Sequence, residues 1–381
     1  MVEEKIMSQT PPARVGDPID AIDTPALVLE LDAFEANLAR MAAFVRGSRV
    51  RLRPHAKSHK CPEIAKRQIA LGAVGICAQK TSEAEAFVDA GVGDVLVSNE
   101  VVGRAKLDRL ARLAKRAKVS VCCDDAANAR DISAAARAAG STLDVLIEVD
   151  VGQHRCGVEP GEPAAALAKE IASLPGLRFA GLHAYHGGAQ HLRSVEERRA
   201  AIEGAAALAR ATKWLIQSRG IPCPTVTGAG TGTFPFERSS GVYDEIQPGS
   251  YVFMDADYNR NAWADPAESF PKFEQSLFVL ATVMSAPAPD RAVVDAGLKA
   301  SSIDSGMPTL VGWPGVEYAK ASDEHGVLAI AAGTLGPSLG ERVRLVPGHC
   351  DPTVNLYDWI VCVRAGRVEA LWPIAARGAV T

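Results

Sequence analysis

Val50-Arg51-Leu52-Arg53-Pro54-His55-Ala56-Lys57-Ser58-His59-Lys60 begins as a short apolar strand and ends in a crowd of cations and imidazoles. Val50, Leu52 and Pro54 alternate with Arg51 and Arg53, which predicts a strand. Ser58 stands where it can cap, or sit just before, a helical segment over 62–71. A lysine at the mouth of a strand is a candidate Schiff-base nucleophile when burial desolvates it and nearby cations disfavour its protonation. A basic run is more often an anion-binding face, so Lys57 needs support from the rest of the chain.

Working outward, the same strand-then-helix unit recurs. After 50–57, strands are expected at 73–79, 94–99, 118–124, 143–150, 177–185, 225–230 and 245–255, most followed by Ala-rich amphipathic stretches of helical period. Runs such as Val95-Leu96-Val97 and Val145-Leu146-Ile147 suit a parallel sheet buried on both faces. Eight such units predict a TIM-type (β/α)8 barrel, with a doubly wound open sheet as the alternative. A further strand, Thr24–Leu29, precedes them, with Asp32 expected to cap the helix that follows. Beyond about Tyr258 the helical period fades. Strands at 277–284, 292–295, 327–332, 341–346 and 357–363, separated by Gly-, Pro- and Asp-rich turns, predict a smaller all-β domain. The expected division is a barrel over 30–260 and a β domain built from 1–29 with 261–381.

The 381 residues are enough for such a pair of cores. With 41 Lys+Arg against 45 Asp+Glu, the net charge of −4 offers no footprint for nucleic acid or anionic lipid, so the partner of the basic run is expected to be small. The eight cysteines form no paired framework and are expected to be reduced thiols. The opening 20 residues lack an apolar signal core and no run is long enough to span a membrane, which predicts a cytoplasmic protein.

In a TIM barrel, catalytic groups sit at the carboxyl ends of the strands. There the sequence places Lys57, Gln79, Asn99, Asp124, Asp150 followed by Arg155, His183 with Tyr185 and His186, Gly230 with Thr231, and Gly249-Ser250-Tyr251. In the turn 225–233, which contains Thr227, Gly228, Gly230, Thr231 and Gly232, small residues and hydroxyls let backbone amides approach an anion. It follows the seventh strand, where barrels commonly bind phosphate. A Schiff-base lysine with a phosphate cradle implies pyridoxal phosphate. In Pro347-Gly348-His349-Cys350-Asp351-Pro352-Thr353, an extended His349–Asp351 segment would aim an imidazole and a carboxylate at one point. That pair suits Mn²⁺ or Mg²⁺ better than zinc.

The stretches 53–60, 150–157, 248–255 and 349–353 resemble the D-threonine aldolase and D-serine dehydratase group of fold-type III, alanine racemase-like pyridoxal phosphate enzymes. The resemblance runs from about Thr24 to the C-terminus. It implies that Lys57 carries the cofactor and that Gln79, Tyr185, Gly230, Thr231 and the Gly249-Ser250-Tyr251 turn surround it. It places Arg155 near the cofactor or substrate, His349 and Asp351 on the metal, and the active site of a homodimer near the subunit boundary. Dehydratases of the group carry a cysteine two residues after the metal histidine, whereas this chain has Asp351, as in the aldolase branch; Ala229 replaces an expected glycine. The implied reaction is retro-aldol cleavage of a β-hydroxy-D-amino acid to glycine and an aldehyde, with His191 first and His59 second as the base for the β-hydroxyl. D-threonine and 3-hydroxy-D-aspartate are the alternative substrates, with Arg51, Arg53 and Arg155 as candidate partners for a second carboxylate. Rival roles are a D-serine or 3-hydroxyaspartate dehydratase, a racemase, for which no second-base tyrosine is evident, and a pyridoxal phosphate carrier.

Overall fold

The computed structural model describes residues 10–263 and 270–381. Eight parallel strands lie side by side in the order Arg51–Leu52, Glu245–Ile246, Thr225–Gly228, Leu177–His183, Leu143–Glu148, Lys118–Cys123, Asp94–Glu100, Ile76–Ala78. The sheet closes on itself where its two ends meet. Val74 N donates to Leu52 O and Cys77 N to Pro54 O, each at 2.9 Å, and His55 bridges Cys77 in parallel. Pro54 is tolerated at this seam because it contributes only its carbonyl. The fold is therefore the TIM-type barrel and not the open sheet. Each Val-rich strand is buried on both faces, against the barrel interior and against the surrounding helices. Gly181 (φ +134°) is required at one crossing, since a Cβ there would come within 1.9 Å of Thr225 O.

Two expected caps are absent. Ser58 lies inside the 3-10 turn Ala56–Ser58 and donates to His55 O, while Cys61 begins the helix Pro62–Ala70 without a side-chain cap. Asp32 sits within the helix Leu31–Val45, where its carboxylate pairs with Arg364.

The second sheet has nine strands among the described residues and is mixed. Its core runs through Leu277–Ala288, which pairs antiparallel with Ala26–Glu30, Arg291–Val294 and Arg342–Val346; Ala26–Glu30 also lies parallel to Trp359–Arg364. Three strands were not expected: Thr309–Leu310, Val316–Ala321 and Arg367–Pro373. The last returns through Ala365-Gly366, both at positive φ, the two-residue hairpin turn that Gly at this position favours. The expected extended path through His349–Asp351 is also corrected. His349 is extended, but Cys350–Val354 is a short helix that Pro352 can enter without loss in its first turn.

The cations that open the organising stretch point to the far end of the barrel. Arg53 is buried with Nε 2.8 Å from Glu245 Oε1 and Nη1 2.7 Å from Asp94 Oδ1, and Arg51 reaches Glu245 at 3.6 Å. Asp94 and Glu245 both begin their strands, opposite the mouth where Lys57 lies. Removing one partner of a buried ion cluster leaves uncompensated charge. Arg53→Met is therefore expected to lower the unfolding free energy by about 3–5 kcal/mol, read as a drop in the urea midpoint.

Candidate active site

The carboxyl ends of the barrel strands surround a cavity of about 330 Å³ that the second sheet partly roofs. Lys57, Gln79, Arg155, Tyr185, His191, Gly230, Thr231, Gly249, Ser250, His349 and Asp351 all line it. The structure thus brings the three separated constellations onto one cavity. Lys57 Nζ stands 3.9 Å from Asp351 Oδ2.

Three expected residues lie elsewhere. His59 is fully buried behind the wall, its Nδ1 accepting from Cys61 N at 3.1 Å and its ring edge-on to Phe87; burial pushes its pKa down to about 3, which leaves it a neutral structural imidazole. Tyr251 points into the core with its hydroxyl 3.1 Å from Gln68 Nε2. Thr227 is buried within the barrel, donating to Glu245 Oε1 and accepting from Gln247 Nε2. Short motifs name a turn without saying which of its residues face inward.

The cations were expected to hold Lys57 below its ordinary pKa, and the opposite is found. Burial depresses the ammonium, but Asp351 and Tyr185 outweigh it, and Arg51 and Arg53 are too far away to matter. Lys57 is thus charged before any aldehyde reaches it. His55, two residues earlier, was missed as a wall residue. Its Nδ1 accepts from Lys57 N at 3.4 Å, Ser98 Oγ lies 3.1 Å from its Nε2, and burial, then Lys57, keeps it neutral.

His191 and His349 on the cavity wall are each hydrogen-bonded to a carboxylate. His191 Nδ1 lies 2.5 Å from Asp257 Oδ2, and Asp257 is shared with Arg193 (2.5 Å) and Arg260 (2.6 Å). Burial raises the Asp257 carboxyl, but Arg193 and His191 outweigh it, so it stays ionised and accepts the hydrogen bond that Nδ1–H donates. Nε2 is left as the acceptor, the arrangement a general base requires. His349 Nδ1 is 2.8 Å from Asp304 Oδ2, which leaves its Nε2 for the cavity. Burial lowers the His349 imidazolium, but Asp351 and Asp304 hold it above the ordinary value. Asp351 accepts from Ser250 Oγ at 3.2 Å. Asp257 and Asp304 were not expected, because neither neighbours its histidine in sequence.

The donor atoms fit the two groups that the chemistry needs. Thr231 Oγ is buried without a partner, and no internal acceptor takes the amides of Gly230, Thr231 or Ser250 among the described residues, which leaves donors for a phosphate. Gly249 is required beside them, since a Cβ would come within 2.6 Å of His55 O. An imidazole nitrogen backed by a carboxylate, beside a second carboxylate, fits a hard divalent ion.

Comparison with known proteins agrees with this geometry. The alanine racemase N-terminal domain model matches residues 29–257 and the putative serine dehydratase domain model matches 276–363. The chain is 54% identical over 368 residues to a D-threonine aldolase of Arthrobacter sp., covering 97% of this chain and 96% of that one. It is 47% identical over 370 residues to a 3-hydroxy-D-aspartate aldolase of Paracoccus denitrificans, covering 96% and 95%. The crystal structure of a D-threonine aldolase from Filomicrobium marinum superposes with a TM-score of 0.95 at 54% identity, over 98% of this chain and 100% of that one. The chain belongs to the alanine racemase-like family that carries a serine dehydratase-type second domain. That fold implies pyridoxal phosphate as cofactor. No helix among the described residues is long and apolar enough to cross a membrane.

Lys57 is the one lysine on the cavity wall among the described residues, and Lys60 nearby is tied to Glu83 at 3.2 Å. Lys57→Ala is expected to abolish the visible absorbance that develops when pyridoxal phosphate is added. Persistence of that band would assign the attachment to another lysine.

Proposed function

We propose that the protein is a pyridoxal phosphate- and divalent metal-dependent D-threonine aldolase that cleaves β-hydroxy-D-amino acids to glycine and an aldehyde. The observation that carries this reading is the convergence of Lys57 with His349 and Asp351 on one cavity, Lys57 Nζ lying 3.9 Å from Asp351 Oδ2. Pyridoxal phosphate supplies an electron sink at Cα, and a divalent ion supplies Lewis acidity at the β-oxygen. Lys57 would hold the cofactor aldehyde, with Gly230, Thr231, Gly249 and Ser250 at its phosphate and Gln79 and Tyr185 on its flanks. His349 Nε2 and Asp351 would hold the ion, with Mn²⁺ or Mg²⁺ favoured by the nitrogen and oxygen donors. Arg155 binds the substrate carboxylate, which a guanidinium fork can take bidentately. His191 Nε2 accepts the β-hydroxyl proton while Asp257 steadies the ring. The imidazole is half-exposed, so that proton can pass on to water.

Among the alternatives, the positions of Arg51 and Arg53 favour an uncharged aldehyde. Both are engaged at the far end of the barrel, which leaves Arg155 as the one arginine on the cavity wall among the described residues. A substrate with a second carboxylate would have to share it. The racemase reading is weakened because Tyr318 in the second sheet and Tyr357, just before its strand Trp359–Arg364, donate to Ala296 O and Ala300 O. The family resemblance also carries a homodimeric state, which light scattering on the purified enzyme checks.

Three outcomes are expected. Chelated enzyme keeps its cofactor absorbance and loses cleavage of D-threonine, and Mn²⁺ restores it; full activity without metal would remove the Lewis-acid role. His191→Asn, assayed as aldehyde release, lowers kcat by about 100-fold or more with cofactor absorbance intact. In a side-by-side assay, D-threonine yields glycine and acetaldehyde with the higher kcat/KM. Preference for 3-hydroxy-D-aspartate would reverse the substrate assignment, and pyruvate from D-serine would indicate a dehydratase.

A further inference from the structure

Beside the cavity, the roles above leave one buried cluster unused. Glu100, Glu148 and Cys156 bring their ligand atoms within 4.8 Å of one another, and so do Cys122, Glu148 and His183. Glu148 and His183 are buried, Glu100 is half-buried at the end of its strand, and His183 lines the cavity. Three polar atoms here are buried without a hydrogen-bond partner among the described residues: Glu100 Oε1, Glu148 Oε2 and His183 Nδ1.

The hydrogen bonds on the other side fix the protons. Glu245 is held by Arg53, so Thr227 Oγ must donate to it; Thr227 then accepts from Gln247 Nε2 at 2.7 Å, and Gln247 Oε1 is left to face His183 Nε2 at 3.2 Å. His183 Nε2 therefore carries a proton. Its Nδ1 faces Glu148 Oε2 at 3.3 Å, so a second proton on the ring makes an imidazolium–carboxylate pair. Glu148 also meets Glu100, a second acceptor, with the Cys156 thiol within 4.8 Å of both. Two carboxylates this close do not both ionise readily. A proton suits the gap better than a divalent ion, because Arg155 Nη2 already stands 3.8 Å from Glu148 Oε1 and His183 faces the same carboxylate.

We propose that Glu100 and Glu148 hold one proton between them, and that this proton sets how much positive charge Arg155 and His183 present to an anionic ligand in the cavity. The proposal rests on the reading of that cavity as a cofactor site. With the proton present, the two cations face a single carboxylate. Once it leaves, they face two, and the net charge around the cavity falls by one.

The surroundings agree in direction. Burial, then Glu148, pushes the Glu100 carboxyl up to about 7. Burial would raise Glu148 too, but His183 outweighs it and holds it below the ordinary carboxylate range. Burial lowers His183, and Glu148 more than restores it. The other ionisable groups facing the pair are Asp124, Cys122 and Cys123 at the end of Lys118–Cys123, and Cys156 beside Arg155. Burial raises the thiols, so they stay protonated through neutral pH.

The experiment is the affinity of the cofactor-free enzyme for pyridoxal phosphate, read by fluorescence quenching from about pH 6 to about pH 8.5. It compares wild type with Glu100→Gln, which cannot ionise, and Glu100→Asp, which can. Titrations common to all three, including those of the ligand and Lys57, cancel in the ratio of dissociation constants. Wild type over Glu100→Gln is expected to be near unity at the acid end and roughly five- to tenfold at the alkaline end, the effect of one charge at short range in a partly solvated site. Glu100→Asp should restore the wild-type pH dependence. A ratio that is constant with pH, whether at unity or displaced by a structural change, would overturn the proposal. No binding at any pH would overturn both it and the reading of the cavity.

Discussion

Lys57 and Asp351 come from distant parts of the chain and meet at 3.9 Å, and the rest of the site depends on that approach. The barrel sets one side of it. Closure between Leu52–Pro54 and Val74–Cys77 ends the first strand at His55, and the 3-10 turn Ala56–Ser58 then holds Lys57 at the mouth. The second sheet sets the other side through the helix Cys350–Val354. Buried Asp255 accepts from Cys350 N at 3.0 Å and from Tyr258 N at 2.8 Å, so one carboxylate fixes both the metal-motif helix and the segment leading to Asp257. Ser250 reaches across to Asp351 from the expected phosphate side. The loop after the last barrel strand thereby ties Ser250, the His349–Asp351 segment and the helix that carries Asp257 to one another, the kind of support that preorganised sites require.

Charge is sorted along the barrel axis. Arg51 and Arg53 are neutralised by Asp94 and Glu245 at the far end, while Lys57, Arg155 and His183 collect at the mouth. In the barrel interior Thr227 and Gln247 join the two ends, from Glu245 to His183. Lys57 is held above its ordinary pKa by Asp351, so the acidic roof and not a cluster of cations sets its charge. A divalent ion on His349 and Asp351 would engage that carboxylate and loosen its hold on the ammonium, linking metal binding to the state of the lysine.

Much of this was legible in the residues. The eight apolar runs carried the barrel because a strand buried on both faces leaves an unmistakable composition, and the motifs carried the cavity because strand ends are where barrels expose polar groups. Spacing alone could not say which way side chains point. His59 and Tyr251 sit in site motifs yet face the core, and Arg53 alternates with apolar neighbours yet ends in an ion cluster at the wrong end of the barrel for the site. Asp257 and Asp304 were invisible for another reason: each supports a histidine far from it in the chain, and only the folded path brings them to 2.5 and 2.8 Å. Three strands of the second sheet, two of them six and seven residues long, were missed because their pairing, more than their composition, defines them.

The most direct measurement of the central claim is the anomalous difference map of crystals soaked in Mn²⁺. One peak is predicted, bound by His349 Nε2 and an Asp351 oxygen at about 2.1 Å and facing the Lys57 side of the cavity. A peak among Glu100, Glu148 and Cys156 instead, or none beside His349, would contradict the account.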